Sequence, residues 1–236
     1  PISLLIPAYN EANRIGPFLA SILTYHQTHP HHIKEIIVID DGSTDDTANI
    51  VLSHNAKLPI KLIRHKKNLG KGAAIKTGVS SSSGKYIVFT DADGATPITE
   101  LPSMLKALKN HQIAVGNRWM PGSHTNRHSF LRKLSGWTYR QYMKVYGLGK
   151  VDTMCGFKGY HRDVALTLFA NLIDNRWLFD TEIAYKAKRL NYSISNIPVN
   201  WESKDGSKLS ITSLIKSALN IRPLIKKIDK EFDNRV

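Results

Sequence analysis

The 236-residue chain has a single cysteine, Cys155, which excludes an intrachain disulfide and any multi-cysteine zinc site and suits a reducing compartment. No stretch approaches the roughly 18–20 unbroken apolar residues that cross a bilayer. The opening Pro1-Ile2-Ser3-Leu4-Leu5-Ile6-Pro7 lacks the length and basic flank of a signal peptide, so no leader or anchor is expected within these residues. Internal repeats are missing, and the serines Ser80 to Ser83 are the one biased stretch. Acidic residues are scarce: 19 Asp and Glu stand against 33 Lys and Arg, a formal charge of +14. None falls in 47–90 or 101–151, and the latter stretch carries nine Lys and Arg. That surplus implies an anionic partner, whether nucleic acid, phosphorylated small molecule or anionic membrane. An apolar fraction of 42% is enough for a sizeable core and excludes intrinsic disorder.

The first half alternates strand-like and helix-like runs. Ile2 to Ile6, Ile33 to Ile39, Ile60 to Arg64 and Tyr86 to Thr90 are short β-branched or apolar runs. Between them, Glu11 to Tyr25, Asp45 to His54 and Gly72 to Val79 carry apolar residues at helical spacing. This rhythm predicts a mostly parallel sheet covered on both faces. Further on, helices are expected over Met104 to Lys109, Phe130 to Tyr146, Asp163 to Asn171 and Thr181 to Leu190, and strands over Ile113 to Gly116 and Ile194 to Trp201. Met120 to His128 reads as a polar loop, and Asp152 to Lys158 as a shaped loop of mixed residue types. Ile211 to Phe232 closes the chain as a basic helical segment that Pro223 should kink or split. The expected organisation is an α/β domain over 1–209 with a helical extension over 210–236.

In a parallel α/β sheet, ligands gather at the carboxyl ends of the strands. Three features fall there: Pro7-Ala8-Tyr9-Asn10-Glu11, Asp40-Asp41-Gly42-Ser43 and Asp91-Ala92-Asp93-Gly94. The first offers a ring and a carboxylate suited to a base. The second offers acceptors for ribose hydroxyls or a base N–H, or simply a turn and helix cap. Asp91 and Asp93 can share one divalent cation, with phosphates and water completing its shell. Gly70-Lys71-Gly72 opens a predicted helix whose N-terminal amides can receive phosphate, without the spacing of a Walker loop. Arg118, Arg127, Arg132 and Arg140 suit bidentate phosphate contacts or a solvated surface. Asp180 and Glu182, alternating with Trp177 and Phe179 in a short extended stretch, either cap the next helix or enter a pocket.

These motifs together resemble the inverting family 2 glycosyltransferases of the GT-A fold, a Rossmann-like, mostly parallel sheet flanked by helices. IPAYNE (6–11), DDGSTD (40–45), NLGKGAA (68–74) and DADGAT (91–96) carry the broad likeness. VGNR (115–118), DTMCGFK (152–158), RWLFDTE (176–182) and VNWESKDGSKL (199–209) narrow it to the dolichyl-phosphate β-glucosyltransferase type of polyprenyl-phosphate transferase. The resemblance implies nucleotide-sugar contacts at Pro7, Tyr9, Glu11, Asp40, Asp41, Lys71, Asp91 and Asp93, with Mg²⁺ or Mn²⁺ on Asp91 and Asp93. It implies catalytic roles for Asp93, Arg118, Arg132 and Asp180, and an acceptor phosphate at Arg118, Arg132 and Lys208. Mannosyl members usually carry Gln where this chain has Ala95, as glucosyl members do. The implied reaction moves glucose from UDP-glucose to a polyprenyl phosphate. GDP-mannose as donor, or a saccharide hydroxyl acceptor with Asp180 as base, are the alternatives.

With phosphates as partners, the basic surplus no longer requires nucleic acid, and no base-stacking or helix-turn-helix module accompanies it. The expected setting is peripheral, on the cytoplasmic face of a membrane. The apolar set Leu214, Ile215, Leu219, Ile221, Leu224, Ile225 and Ile228 makes the last segment either an interfacial amphipathic helix or a helix packed on the core.

Overall fold

The computed structural model describes residues 1–55, 57–126, 130–204 and 211–234. Its main sheet has seven strands in the order β3-β2-β1-β4-β7-β5-β8. These are β1 (Ile2–Ala8), β2 (Ile33–Asp40), β3 (Ile60–Arg64), β4 (Tyr86–Phe89), β5 (Ile113–Gly116), β7 (Lys158–His161) and β8 (Ile194–Ile197). β1, β2, β3 and β4 pair in parallel; the near-continuous apolar runs of β1 and β4 are those of strands buried on both faces, while β3 is an edge strand with only Ile60 buried.

The period of two along each strand divides the core into two layers. Leu4 and Ile6 of β1 and Val38 of β2 face α1 (Ala12–Thr28), from which Ile15, Phe18, Leu19 and Ile22 meet them, and α4 (Leu101–Leu108), which adds Met104. Leu5, Ile37, Ile39 and Phe89 face the other way. There α3 (Lys71–Ser80), α6 (Arg162–Ala170) and α7 (Phe179–Arg189) supply Ile75, Leu168, Phe179 and Ile183. α2 (Thr47–Ser53) packs beside α1. A third cluster joins α5 (Phe130–Lys144), α7 and α8 (Ile211–Asp233) through Met143, Leu178, Ala184, Ile221, Leu224, Ile225 and Ile228.

Four expectations are corrected. β7 lies where the sequence pattern gives only the end of a loop; it is antiparallel to both β4 and β5 and is made by those two neighbours, not by its own Lys-Gly-Tyr-His pattern. The polar loop after β5 contains β6 (His124–Asn126), which pairs in parallel with β9 (Asn200–Glu202) as a small separate sheet. The single strand expected over Ile194 to Trp201 is therefore two, β8 and β9, parted at Pro198, which has no N–H for a ladder. Finally, of the kink or split expected at Pro223 the split does not occur: α8 is one helix with that proline inside it. The buried side chains around that proline, Ile221, Leu224 and Ile225, hold it against α5 and α7. No helix among the described residues is long and apolar enough to cross a membrane.

Candidate active site

The ends of β1, β2 and β4 lie side by side, and each delivers one of the acidic motifs. After β1 the chain turns at Asn10, whose φ of 51° is left-handed. The turn is clipped to the loop after β2: Ser43 Oγ accepts from Asn10 N–H at 2.9 Å, and Asn10 Oδ1 accepts from Thr44 N–H at 2.8 Å. Thr47 Oγ1 accepts from Glu11 N–H at 2.8 Å. Pro7 and Tyr9 are half-buried at this edge. The Glu11 side chain pairs with Arg14 at 2.5 Å, and Arg14 reaches Asp93 at 4.0 Å.

Asp40 and Asp41 have side chains only 0% and 4% exposed. Asp40 accepts from Ser43 N–H at 2.8 Å and from Arg64 Nε at 2.9 Å. Asp41 meets His65 Nδ1 at 2.7 Å and accepts from the N–H groups of Leu69 at 3.0 Å and Gly70 at 2.8 Å. Withdrawn from solvent, both carboxylates build the loop that leads to α3.

The phosphate cradle expected at the start of α3 is also corrected. The N–H groups of Gly72 and Ala73 are taken by the carbonyls of Arg176 and Asn175, at 3.3 and 3.1 Å. Gly70, at φ 105°, lies so close to the Asn175 carbonyl that a Cβ would collide with it. What α3 offers the site is instead the Lys71 side chain, whose Nζ donates to Asp91 Oδ1 at 2.5 Å and lies 5.9 Å from the Trp177 ring.

Asp91 and Asp93 retain side-chain exposures of 36% and 24%. Burial opposes ionisation of Asp91, but Lys71 above all, then Lys158 and Arg118, outweigh it and hold the carboxyl below its ordinary range. Burial and the neighbouring Asp91 charge push Asp93 the other way, upward. A carboxylate pair that cannot comfortably ionise together is relieved by a cation. Two hard oxygen ligands at an open strand end fit Mg²⁺ or Mn²⁺. No group of three or more His, Cys, Asp or Glu gathers among the described residues, so a metal here would draw its other ligands from phosphate and water. Gly156 backs the pair so closely that a Cβ would collide with the Asp91 carboxylate.

Behind them lies an ion-pair frame. Asp152 grips Arg118 bidentately, accepting from Nε at 2.8 Å and Nη2 at 3.0 Å, and the guanidinium stacks 5.1 Å from the Trp201 ring. Lys158 spends all three donors, on Asp180 Oδ1 at 2.7 Å, Cys155 O at 2.5 Å and Thr153 O at 3.2 Å. Asp180 sits in the first turn of α7, not in the extended stretch expected. Burial raises its proton affinity, with Lys158 and Lys71 pulling against that. Glu182, fully buried, accepts from Ile173 N–H, Asp174 N–H and Lys186 Nζ and so builds the preceding turn.

The family model for glycosyl transferase family 2 matches residues 3–169. This chain belongs to glycosyltransferase family 2. A dolichyl-phosphate beta-glucosyltransferase of Dictyostelium discoideum is 38% identical, covering 93% of this chain and 72% of its own length. The Homo sapiens dolichyl-phosphate beta-glucosyltransferase is 33% identical, with 88% and 69% covered. Among solved structures, glucosyl-3-phosphoglycerate synthase from Mycobacterium tuberculosis with Mn²⁺ and UDP-glucose aligns at a TM-score of 0.70 and 18% identity, over 95% of this chain and 77% of its own. That likeness carries the fold, which is GT-A as expected. The chain is a glycosyltransferase.

In this transferase the fold brings Glu11, Lys71, Asp91, Asp93, Arg118 and Asp180 around one centre. The backbone of Arg132 lies in the first turn of α5. Its side chain lies outside the described residues, as does all of Lys208. Sequence reasoning missed Arg14, Asp152, Lys158 and Trp201. The spacing Glu11-x-x-Arg14 was one available signal, since helical neighbours three apart can pair.

Proposed function

We propose that this transferase moves glucose from UDP-glucose to a polyprenyl phosphate of the dolichyl type, with inversion at the anomeric carbon and with Mg²⁺ or Mn²⁺ bound. The observation that carries the reading is the half-exposed Asp91-x-Asp93 pair at the end of β4, ringed by Lys71, Arg14 and Arg118. The names of the relatives support the acceptor, and the Mn²⁺ and UDP-glucose of the fold neighbour support the donor.

Asp91 and Asp93 would hold the metal, which supplies Lewis-acid charge to a leaving diphosphate. Lys71, once exchanged from Asp91, is within reach to meet the same phosphates. Arg118 is held rigid by Asp152 and Trp201, so its unspent Nη1 can meet an incoming phosphate without reorganising. A phosphate monoester has a second pKa of about 6 and is mostly dianionic at neutral pH, so its oxygen attacks without a strong base. The protein's work is then alignment and charge. Asp180, anchored by Lys158, orients the sugar or Lys71. The basic surface suits a peripheral position on the cytoplasmic face of a membrane.

The raised proton affinity of Asp180 favours a second reading, a saccharide hydroxyl acceptor with Asp180 as base. One assay separates them. UDP-glucose and GDP-mannose are each incubated with Mg²⁺ and either a prenyl phosphate or free saccharides. Glucosyl prenyl phosphate is the expected product; turnover confined to hydroxyl acceptors would overturn the first reading.

A further inference from the structure

The amphipathic segment that the sequence offers to a membrane is α8, yet the structure turns the second half of its stripe inward: Ile221, Leu224, Ile225 and Ile228 are buried, Leu219 is 73% exposed, and the side chains of Leu214 and Ile215 lie outside the described residues. Large apolar side chains stand exposed elsewhere. On α5, Leu134 is 46% and Trp137 is 50% exposed, one turn apart, and Val145 just beyond its end is 75% exposed. The opposite face of that helix, with Tyr139, Tyr142 and Met143, packs inward. The loop after β5 adjoins it: Trp119 lies 5.8 Å from the Arg140 guanidinium, and the next residue, Met120, is again exposed. The same loop carries Arg118, which faces the site. One short segment therefore joins a guanidinium of the candidate site to an outward apolar patch.

Resting on the proposed function, we infer that the outer face of α5, with Met120, is the surface that seats on an anionic bilayer and feeds the lipid phosphate to Arg118. Charge selects this occupant. The patch lies in the acid-free stretch 101–151, whose nine Lys and Arg suit an anionic surface. A second copy of the chain would bring the same +14 charge against it and be repelled. Tryptophan beside basic residues is the composition that binds the headgroup boundary.

The test is flotation of the full chain with vesicles of phosphatidylcholine and phosphatidylserine. The variants are Leu134→Ser/Trp137→Ser and, as control, Leu219→Ser on the exposed side of α8. The double variant should lose about tenfold or more in vesicle binding, the scale of withdrawing two large apolar side chains. It should lose turnover on long-chain polyprenyl phosphate in vesicles while keeping turnover on a short, water-soluble prenyl phosphate. The control should float like the parent. Equal flotation of parent and double variant, loss only in Leu219→Ser, or a dimer that the double variant dissolves without a change in flotation would each overturn the inference. If the parent turned over no prenyl phosphate at all, the proposed function would fail instead, and the flotation result would still judge the surface.

Discussion

Asp40-Asp41 closes β2 and Asp91-x-Asp93 follows β4, the two strands that flank β1 in the same sheet. The first pair is sealed, with side chains 0% and 4% exposed, and is engaged by backbone N–H groups, Arg64 and His65. The second keeps 36% and 24% exposure and meets mainly the tips of long cations, Lys71 and Arg14. Amide partners fixed by the backbone cannot be exchanged without unfolding the loop. Ammonium and guanidinium tips can swing away when a metal or a diphosphate arrives. Acidic strand ends that look alike in sequence are thus sealed in one place and open in the other, and under the proposed function the open pair is the working surface.

The sharpest test of that contrast is the largest effect. Asp93→Ala or Asp91→Ala should lower turnover about 10³-fold, the scale of losing one preorganised electrostatic partner. The thermal midpoint should move little, because neither side chain is sealed in the core. Both are read from kcat and a melting curve on the same preparation. A variant that melts far lower yet keeps its activity per folded molecule would reverse the assignment.

Next comes the frame behind the pair. Lys158→Met leaves Asp180 buried without its cation and frees the carbonyls of Thr153 and Cys155. Breaking one side of a buried ion pair costs about 3–5 kcal/mol. Chemical denaturation should show a loss of that order, together with lost activity, since the loop from Thr153 to Cys155 adjoins the Asp152 that holds Arg118. An unchanged midpoint would mean that Asp180 has other support.

Asp41→Ala should act in the opposite sense to Asp93→Ala. It strands the N–H groups of Leu69 and Gly70 and removes the partner of His65, and we expect about 2–3 kcal/mol of lost stability. Turnover per folded molecule should fall far less than in Asp93→Ala. A stable but inactive Asp41→Ala protein would erase the distinction between the two turns.

The same division governs what the sequence revealed. The four parallel strands and their helices were legible because each writes its own local pattern, and the DAD turn was legible because its chemistry is local too. β7 and β6 were hidden, since their strand character is imposed by partners distant in the chain. The amides of Gly72 and Ala73 looked free for phosphate because nothing nearby in sequence announces that Asn175 and Arg176 will cover them. Lys158 was passed over for the same reason: its partner Asp180 lies 22 residues away. Side-chain roles that depend on exposure, as at Asp40 and Asp41, cannot be told from residue type alone.

The smallest expected effect separates the two turns by proton linkage. Asp93 is pushed above its ordinary range by burial and by Asp91. The folded chain therefore binds that proton more readily than the unfolded chain. Its contribution stabilises at low pH and is lost as pH rises through the raised value. A divalent cation takes the proton's place, so it binds with proton release and competes poorly in acid. Mg²⁺ should therefore raise the melting temperature more at neutral pH than in acid, by about 1.4 kcal/mol of stability at ten times its Kd. Asp93→Asn should remove the gain, whereas Arg64→Ala, which touches only the sealed turn, should leave its pH dependence intact. A gain that is flat with pH would mean that the metal does not displace a proton from Asp93, and the working surface would have to be sought elsewhere.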